Sequence, residues 1–247
     1  MSKSVVLSVC KADMSSYEGF VWPESGHVVA PDWKNDNRCG DGLHGWLEGQ
    51  GDSACSDYTH LPDAKYLVLE VDTETIVDLK GKCKFPEAEV IFVGNRSEAL
   101  DYIERMYPQL SNAPLLFATR TAGNYGTATV GDSGTAKAGD SGTAKAGYNG
   151  VATAGNYGTA TVGDSGTATV GDSGVATAGY NGTAIAGYNG TATADIGGTA
   201  MAGVNGVIRI SCFDERKRTI TGYIGENGLL ANTRYKLGFE HTFIEAD

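Results

Sequence analysis

The chain has 247 residues, 41% apolar and 20% charged, with 30 acidic against 19 basic side chains and a net charge of −11. That length suits one or two domains, or one domain with an appendage. No run approaches the ~20 apolar residues a helix needs to cross a bilayer, and the acid excess lacks the basic footprint of direct nucleic-acid binding.

Residues 1–118 hold all three tryptophans and all six prolines, and they read as an α+β head. Apolar runs at 4–10, 19–22, 66–71 and 89–94 predict strands. Asn95 is placed to cap a helix over 96–107, with Ala99, Leu100, Ile103 and Met106 on one stripe. Residues 115–118 lead out of the head. Most of the acid excess lies here, with 19 acids against 11 bases in 1–120.

The head also carries metal-ligand residue types. Cys39-x4-His44 is followed by Cys55-x4-His60, four side chains of the kind that hold zinc. The gaps are wider than in common zinc knuckles and there is no C-x2-C, so His44 in GDGLHGW also reads as a loop or core histidine. Cys10, Cys39, Cys55, Cys83 and Cys212 are odd in number, and no signal-peptide pattern precedes them. Reduced thiols in a cytoplasmic compartment are therefore expected. Nucleophile-elbow, phosphate-loop and dinucleotide fingerprints are absent, so no cofactor is expected.

Glycine then changes the character of the chain: 22 of its 35 glycines fall in 121–208. They keep a strict period of eight, x-A/V-G-x-x-G-T/V-A, for eleven octads. Residues 121–152 and 153–184 differ at five of 32 positions. A fixed period marks a repeat architecture rather than a flexible linker. Each junction, as in G-T-A-T-V-G, alternates small inward residues (Ala128, Ala136, Ala144) with outward ones, as a short strand requires. Between strands, glycines bracket two polar residues, which reads as turn chemistry where positive φ is needed. One strand and one turn per octad gives a β-solenoid of 16-residue coils, about five and a half of them.

The outward positions form ladders. Thr127/Thr129, Thr159/Thr161 and Thr191/Thr193 recur 32 residues apart on one face, with Thr143/Lys145 and Val175/Thr177 between them. The other face reads Thr135/Lys137, Val151/Thr153, Thr167/Thr169, Thr183/Ile185 and Thr199/Met201. Tyr125, Tyr148, Tyr157, Tyr180 and Tyr188 sit at turns, where they either cover neighbouring backbone or stack as a dimer seam. Asp132, Asp140, Asp164 and Asp172 are the turn acids and the candidate binding residues of the repeat.

Residues 209–247 balance six acids with six bases. They predict strands at 207–213 and 219–224 around a charged turn at 214–218, then short strands at 235–237 and 242–244. This small β cap and the head would cover the solenoid's open edges. Arg216, Lys217 and Arg218 form a basic cluster that suits either a solvated turn or pairing with the acidic head of a second copy, giving a homodimer.

The stretches AGYNGTAT, AGNYGTAT and AGYNGTAI resemble the octapeptides of bacterial ice-nucleation proteins. That resemblance covers 121–208 and implies a solenoid of 16-residue coils, with ice recognition by outward Thr-x-Thr ladders. The arrangement SYEGFVWPESGHVVAPDW…CGDGLHGWLEGQGD…YLVLEVD…KCKFPEAEVIFVG resembles N-terminal domains of uncharacterised phage and bacterial repeat proteins. Within it, the order His44, Tyr58, Glu70 resembles that of ADP-ribosyltransferases. By that resemblance His44 would hold the nicotinamide ribose, Tyr58 would stack on nicotinamide, and Glu70 would polarise the ribose.

The sequence reading is a mainly β protein: an α+β head (1–118), an octapeptide-repeat β-solenoid (119–208) and a C-terminal β cap (209–247). From the phage resemblance, the leading functional expectation is a non-enzymatic inhibitor. Its acidic surface would occupy the basic, nucleic-acid-binding groove of a host nuclease or defence complex in the host cytoplasm. An ice-binding solenoid and an ADP-ribosyltransferase-like head are the alternatives.

Overall fold

A computed structural model describes residues 2–246. It divides into two compact units, Met1–Leu116 and Phe117–Asp247.

The first unit is built on seven strands and one helix: β1 (Lys3–Cys10), β2 (Gly26–Val29), β3 (Leu43–Leu47), β4 (Lys65–Asp72), β5 (Val77–Asp78), β6 (Cys83–Phe85), β7 (Glu87–Gly94) and α1 (Arg96–Met106). The strands form one antiparallel sheet in the order β2-β7-β4-β1-β3-β6-β5. Its centre is the eight-residue pairing of β1 with β4, from Lys3↔Asp72 to Cys10↔Lys65. Both strands are almost wholly buried, which is why they read as continuous apolar runs rather than alternating ones. One face of the sheet packs Val6, Leu67, Leu69 and Val71 with Trp22, Leu43 and Phe85. Helix α1 covers the other face with Ala99, Leu100 and Ile103. A capping box starts the helix: Asn95 Oδ1 accepts the Glu98 N–H at 3.0 Å, and Glu98 Oε2 accepts the Asn95 N–H at 2.8 Å. Met106 lies off the buried stripe, 54% exposed.

The segment 19–22 is not a strand. It follows a single 3-10 turn at Tyr17–Gly19, with Glu18 at φ 54, and contributes one isolated bridge, Ser15↔Val21. The edge strand forms instead at Gly26–Val29, paired with β7.

The second unit is the solenoid. One face stacks Thr119–Ala122, Thr135–Ala138, Val151–Ala154, Thr167–Val170, Thr183–Ala186 and Thr199–Ala202. The other stacks Thr127–Thr129, Thr143–Ala146, Thr159–Val162, Val175–Ala178, Thr191–Ala194 and Val207–Asp214. Every pairing between coils is parallel and offset by 16 residues, as in Ala136↔Ala152 and Thr159↔Val175. The eleven octads and one further strand make about six coils. The additional strand, Thr119–Ala122, departs from the octad by placing Arg120 opposite Ala136, and its Nη1 donates to Thr129 O at 2.9 Å.

The core between the faces is thin. Ala136, Ala144, Ala152, Ala160, Ala168, Ala176, Ala184, Ala192 and Ala200 are fully buried. Methyl groups bury little apolar area each, so cohesion comes mainly from the unbroken backbone ladder, coil on coil. Ile208 and Ile210 enlarge the core at the last coil, where Tyr235 and Leu229 are also buried.

Each turn does hold a positive-φ residue, and it is one of the bracketed pair rather than a bracketing glycine. The left-handed residue of each turn is the second bracketed residue: Tyr125, Ser133, Ser141, Asn149, Tyr157 and their successors, with φ between 53 and 59 for the non-glycine ones. Asn tolerates that conformation well, and in the repeat only Gly197 fills it with glycine. The bracketing glycines are needed because coils approach closely. A Cβ on Gly155 would lie 2.7 Å from Asp140 N and 2.9 Å from Gly139 C of the preceding coil, and one on Gly158 would crowd its own turn, 2.7 Å from Ala154 Cβ, besides lying 3.1 Å from Gly142 O.

The C-terminal residues finish both sheets. Arg216–Tyr223 pairs antiparallel with Val207–Asp214, reversing at Glu215 (φ 53). The expected five-residue turn at 214–218 is therefore a one-residue reversal, and Arg216, Lys217 and Arg218 belong to an edge strand. The hairpin Tyr235–Leu237 with Phe243–Glu245 meets the other face at Ala200↔Tyr235. Such antiparallel additions occupy edges that would otherwise be open to other chains.

Candidate functional site: the threonine ladders

Parallel in-register stacking turns the outward positions into columns. On the second face one column reads Thr127, Thr143, Thr159, Val175, Thr191, Val207, and its neighbour reads Thr129, Lys145, Thr161, Thr177, Thr193, Arg209. On the first face the columns are Thr119, Thr135, Val151, Thr167, Thr183, Thr199 and Thr121, Lys137, Thr153, Thr169, Ile185, Met201. The predicted ladder residues Thr127, Thr129, Thr159, Thr161, Thr191 and Thr193 thus share one surface. Reading by column sharpens the picture. Lys145 and Arg209 bound an uninterrupted block of three rows, 159/161, 175/177 and 191/193, in which Val175 is the one non-threonine. Thr183 and Thr199 show the hydroxyl contact along a column, with Oγ1 atoms 3.0 Å apart.

The turn acids have a structural partner. Asp132 Oδ1 accepts the Tyr148 N–H at 2.8 Å, and Asp140 Oδ1 that of Asn156 at 2.8 Å. Asp164 receives Tyr180 at 2.8 Å, and Asp172 receives Tyr188 at 2.9 Å. Asn124 and Asn156 fill the same slot, accepting from Asp140 and Asp172. Every bond runs to the next coil, 16 residues on. The requirement is a short side-chain carbonyl oxygen, not a charge, and nothing in a single octad announces it.

The remaining candidates are dispersed. Among the described residues no group of three or more His, Cys, Asp or Glu side chains is placed to hold a metal. Cys39 is exposed and Cys55 half-buried, while His44 Nε2 accepts the Gly40 N–H at 3.3 Å. Burial, with Lys82 nearby, pushes the His44 imidazole down to about 4. His60 is exposed at the end of the short turn Asp57–His60. His44 and Tyr58 line one cavity of the head. Glu70 shares the opposite sheet face with Val5, pairing with Lys3 Nζ at 3.0 Å and accepting from Tyr107 Oη at 3.1 Å. The His-Tyr-Glu order in sequence is therefore not assembled in space. In the C-terminal strand, Lys217 Nζ lies 2.6 Å from Asp195, holding that carboxyl below the usual range, and Arg218 pairs with Asp214 at 3.5 Å.

Comparison with known proteins bears on this surface. Residues 4–105 match a domain of unknown function, DUF7666. The chain is similar to an ice nucleation protein of Xanthomonas campestris pv. translucens, 39% identical over 127 residues, covering 49% of this chain and 8% of that protein. An ice nucleation protein of Pseudomonas fluorescens is 41% identical over 103 residues (41% and 8%), and InaU of Pantoea ananas is 36% identical over 104 (41% and 10%). The match thus spans about a tenth or less of these relatives. No solved structure matches. These relatives overturn the expectation of a phage-encoded, acidic inhibitor of a host nuclease or defence complex, and the turn acids meant to carry it bond to the coil stack instead. Residues 121–208 form an octapeptide-repeat β-solenoid of the ice-nucleation type, joined to an N-terminal DUF7666 domain.

Proposed function

We propose that the solenoid binds ice through its threonine columns. The observation that supports this reading is the in-register stacking of outward threonines on a backbone fixed from both sides. Rows repeat at ~4.8 Å along the stack, and the two columns of a face stand two residues, ~6.7 Å, apart. The result is a flat grid of hydroxyls and methyls. Threonine is stiff at χ1, so little side-chain freedom remains to be lost when water orders against the grid. Each hydroxyl–water contact is weak, and the grid gains strength because many contacts engage together. The relatives' name, ice nucleation protein, agrees with that chemistry.

Six coils present only ~29 Å of face at the strand spacing. We therefore assign this solenoid to adsorption on existing ice rather than to seeding it alone. Thermal hysteresis tests the assignment. The chain should show a hysteresis gap and faceted crystals, and Thr161→Lys with Thr177→Lys, in the uninterrupted block, should lose most of the gap. No hysteresis from the folded parent chain would reject the reading.

A further inference from the structure

Five Asn-Gly pairs occur in the chain: Asn149-Gly150, Asn181-Gly182, Asn189-Gly190, Asn205-Gly206 and Asn227-Gly228. Asparagine is a thermolabile residue, most of all before glycine, whose backbone nitrogen no side chain shields. That nitrogen attacks the asparagine Cγ, closes a five-membered succinimide and expels the side-chain nitrogen as ammonia. Water then opens the ring at either carbonyl and leaves aspartate or the β-linked isoaspartate. The only co-reactant is water.

Backbone conformation does not separate the five, since every one of these asparagines is left-handed, with φ between 49 and 58. Packing does. Gly150, Gly182, Gly190 and Gly206 are buried in the turns of the coil stack, and each N–H donates to the carbonyl three residues back at 3.0–3.2 Å. Asn149, Asn181 and Asn189 are pinned as well, donating to Asp164, Ile196 and Val204 O of the next coil at 2.8–3.0 Å. Gly228 is different. It is exposed, nothing lies within 4 Å of where its Cβ would stand, and its N–H meets no acceptor among the described residues. With Asn227 it makes the centre of a tight turn, φ 49 and 80, closed by Leu229 N–H donating to Glu226 O at 2.9 Å. Asn-Gly favours that mirror-image turn. The attack needs rotation about the asparagine backbone, and an exposed turn opens far more often than one locked between coils.

We propose that Asn227 is a site of spontaneous modification: in the folded chain it converts through the succinimide to aspartate and isoaspartate, while the coil stack preserves the four Asn-Gly pairs of the repeat. The product carries a new carboxylate. The isoaspartate also adds a methylene to the backbone two residues before Leu229, which is 7% exposed and whose carbonyl holds the Gly225 N–H at 2.9 Å. The modification therefore acts on the C-terminal cap and leaves the threonine columns as they are.

Peptic mapping by mass spectrometry of the full chain, held folded at mildly alkaline pH, tests this, with isoaspartate scored separately by enzymatic methylation. Asn227 should convert first, at least about tenfold faster than Asn149, Asn181 and Asn189, because each of those must first break two backbone hydrogen bonds. In urea all five should convert at similar rates. Asn227→Gln, whose longer side chain closes the ring poorly, should remove the early isoaspartate, with folding checked by circular dichroism. Equal rates at Asn227 and the inner sites of the folded chain would overturn the proposal, as would earlier conversion of a repeat asparagine. So would an intact Asn227 in a folded chain whose urea-unfolded form converts. Loss of ice binding would leave it untouched, since Asn227 lies outside the columns.

Discussion

Alanine at two glycines in the same octad position should have opposite effects. Gly155 and Gly123 each precede a turn, and neither has positive φ. Below Gly155 lies a full coil: an added Cβ would meet Asp140 N at 2.7 Å and Gly139 C at 2.9 Å, both backbone, and would also collide with Asp140 Oδ1. Backbone held in a parallel ladder on both sides cannot step aside. Gly123 is in the first coil, and its Cβ would meet nothing within 4 Å. Overpacking of this kind costs about 1–3 kcal/mol, whereas alanine at a permissive site stabilises by about 0.4–1 kcal/mol through the unfolded chain. Gly155→Ala should therefore cost the solenoid about 2 kcal/mol of stability, read as a lower urea midpoint at unchanged m, and Gly123→Ala should leave the midpoint level or raise it. If both variants lost the same amount, close approach would not be the reason for the glycines, and the account of coil spacing would fail.

Three further outcomes follow from individual side chains. Asp140→Asn should be nearly neutral, because Asn124 and Asn156 already supply the same oxygen, while Asp140→Ala should cost about 1 kcal/mol in thermal melts; equal losses would make charge, not the bond, the relevant property. His44 is neutral down to about pH 4 in the folded head, against 6.5 when free. The unfolded chain therefore takes up the proton first, and head stability should be full above pH 6.5 and fall between 6.5 and 4, by at most about 3 kcal/mol at full burial and less for this partly open site. His44→Gln should flatten that slope in denaturation at pH 7 and 4.5, and an unchanged slope would count against the burial argument. Lys84 is fully buried, with Nζ 2.8 Å from Asp36 and 5.7 Å from the Trp33 ring. Asp36→Asn should lower the head's melting temperature more than Asp41→Asn, which frees only the exposed Lys34; the reverse order would contradict it.

The repeat made most of the solenoid readable, since one octad encodes strand, turn and inward alanine, and the 16-residue register follows from two of them. Its first strand was hidden because Thr119–Ala122 carries Arg120 where an alanine stands elsewhere. The close approach at the bracketing glycines was not legible, because proximity and positive φ leave the same mark in a sequence. In the head, β4 and β7 stood out as apolar runs, but Leu43–Leu47 is interrupted by Gly45 and Cys83–Phe85 has only three residues. The threonine columns were legible as spacing. The aspartate bonds were not, because they exist only between stacked coils. The basic run 216–218 resembled a turn because an edge strand that faces solvent tolerates charge.

Ice affinity of the threonine block is the most direct measurement. Fluorescently labelled chain should be taken up into a slowly growing ice hemisphere. Thr161→Lys with Thr177→Lys should be left in the liquid, while a turn variant on the same coil, Ser165→Asn, should enter the ice like the parent. Exclusion of the parent chain, or equal uptake of all three, would contradict the account.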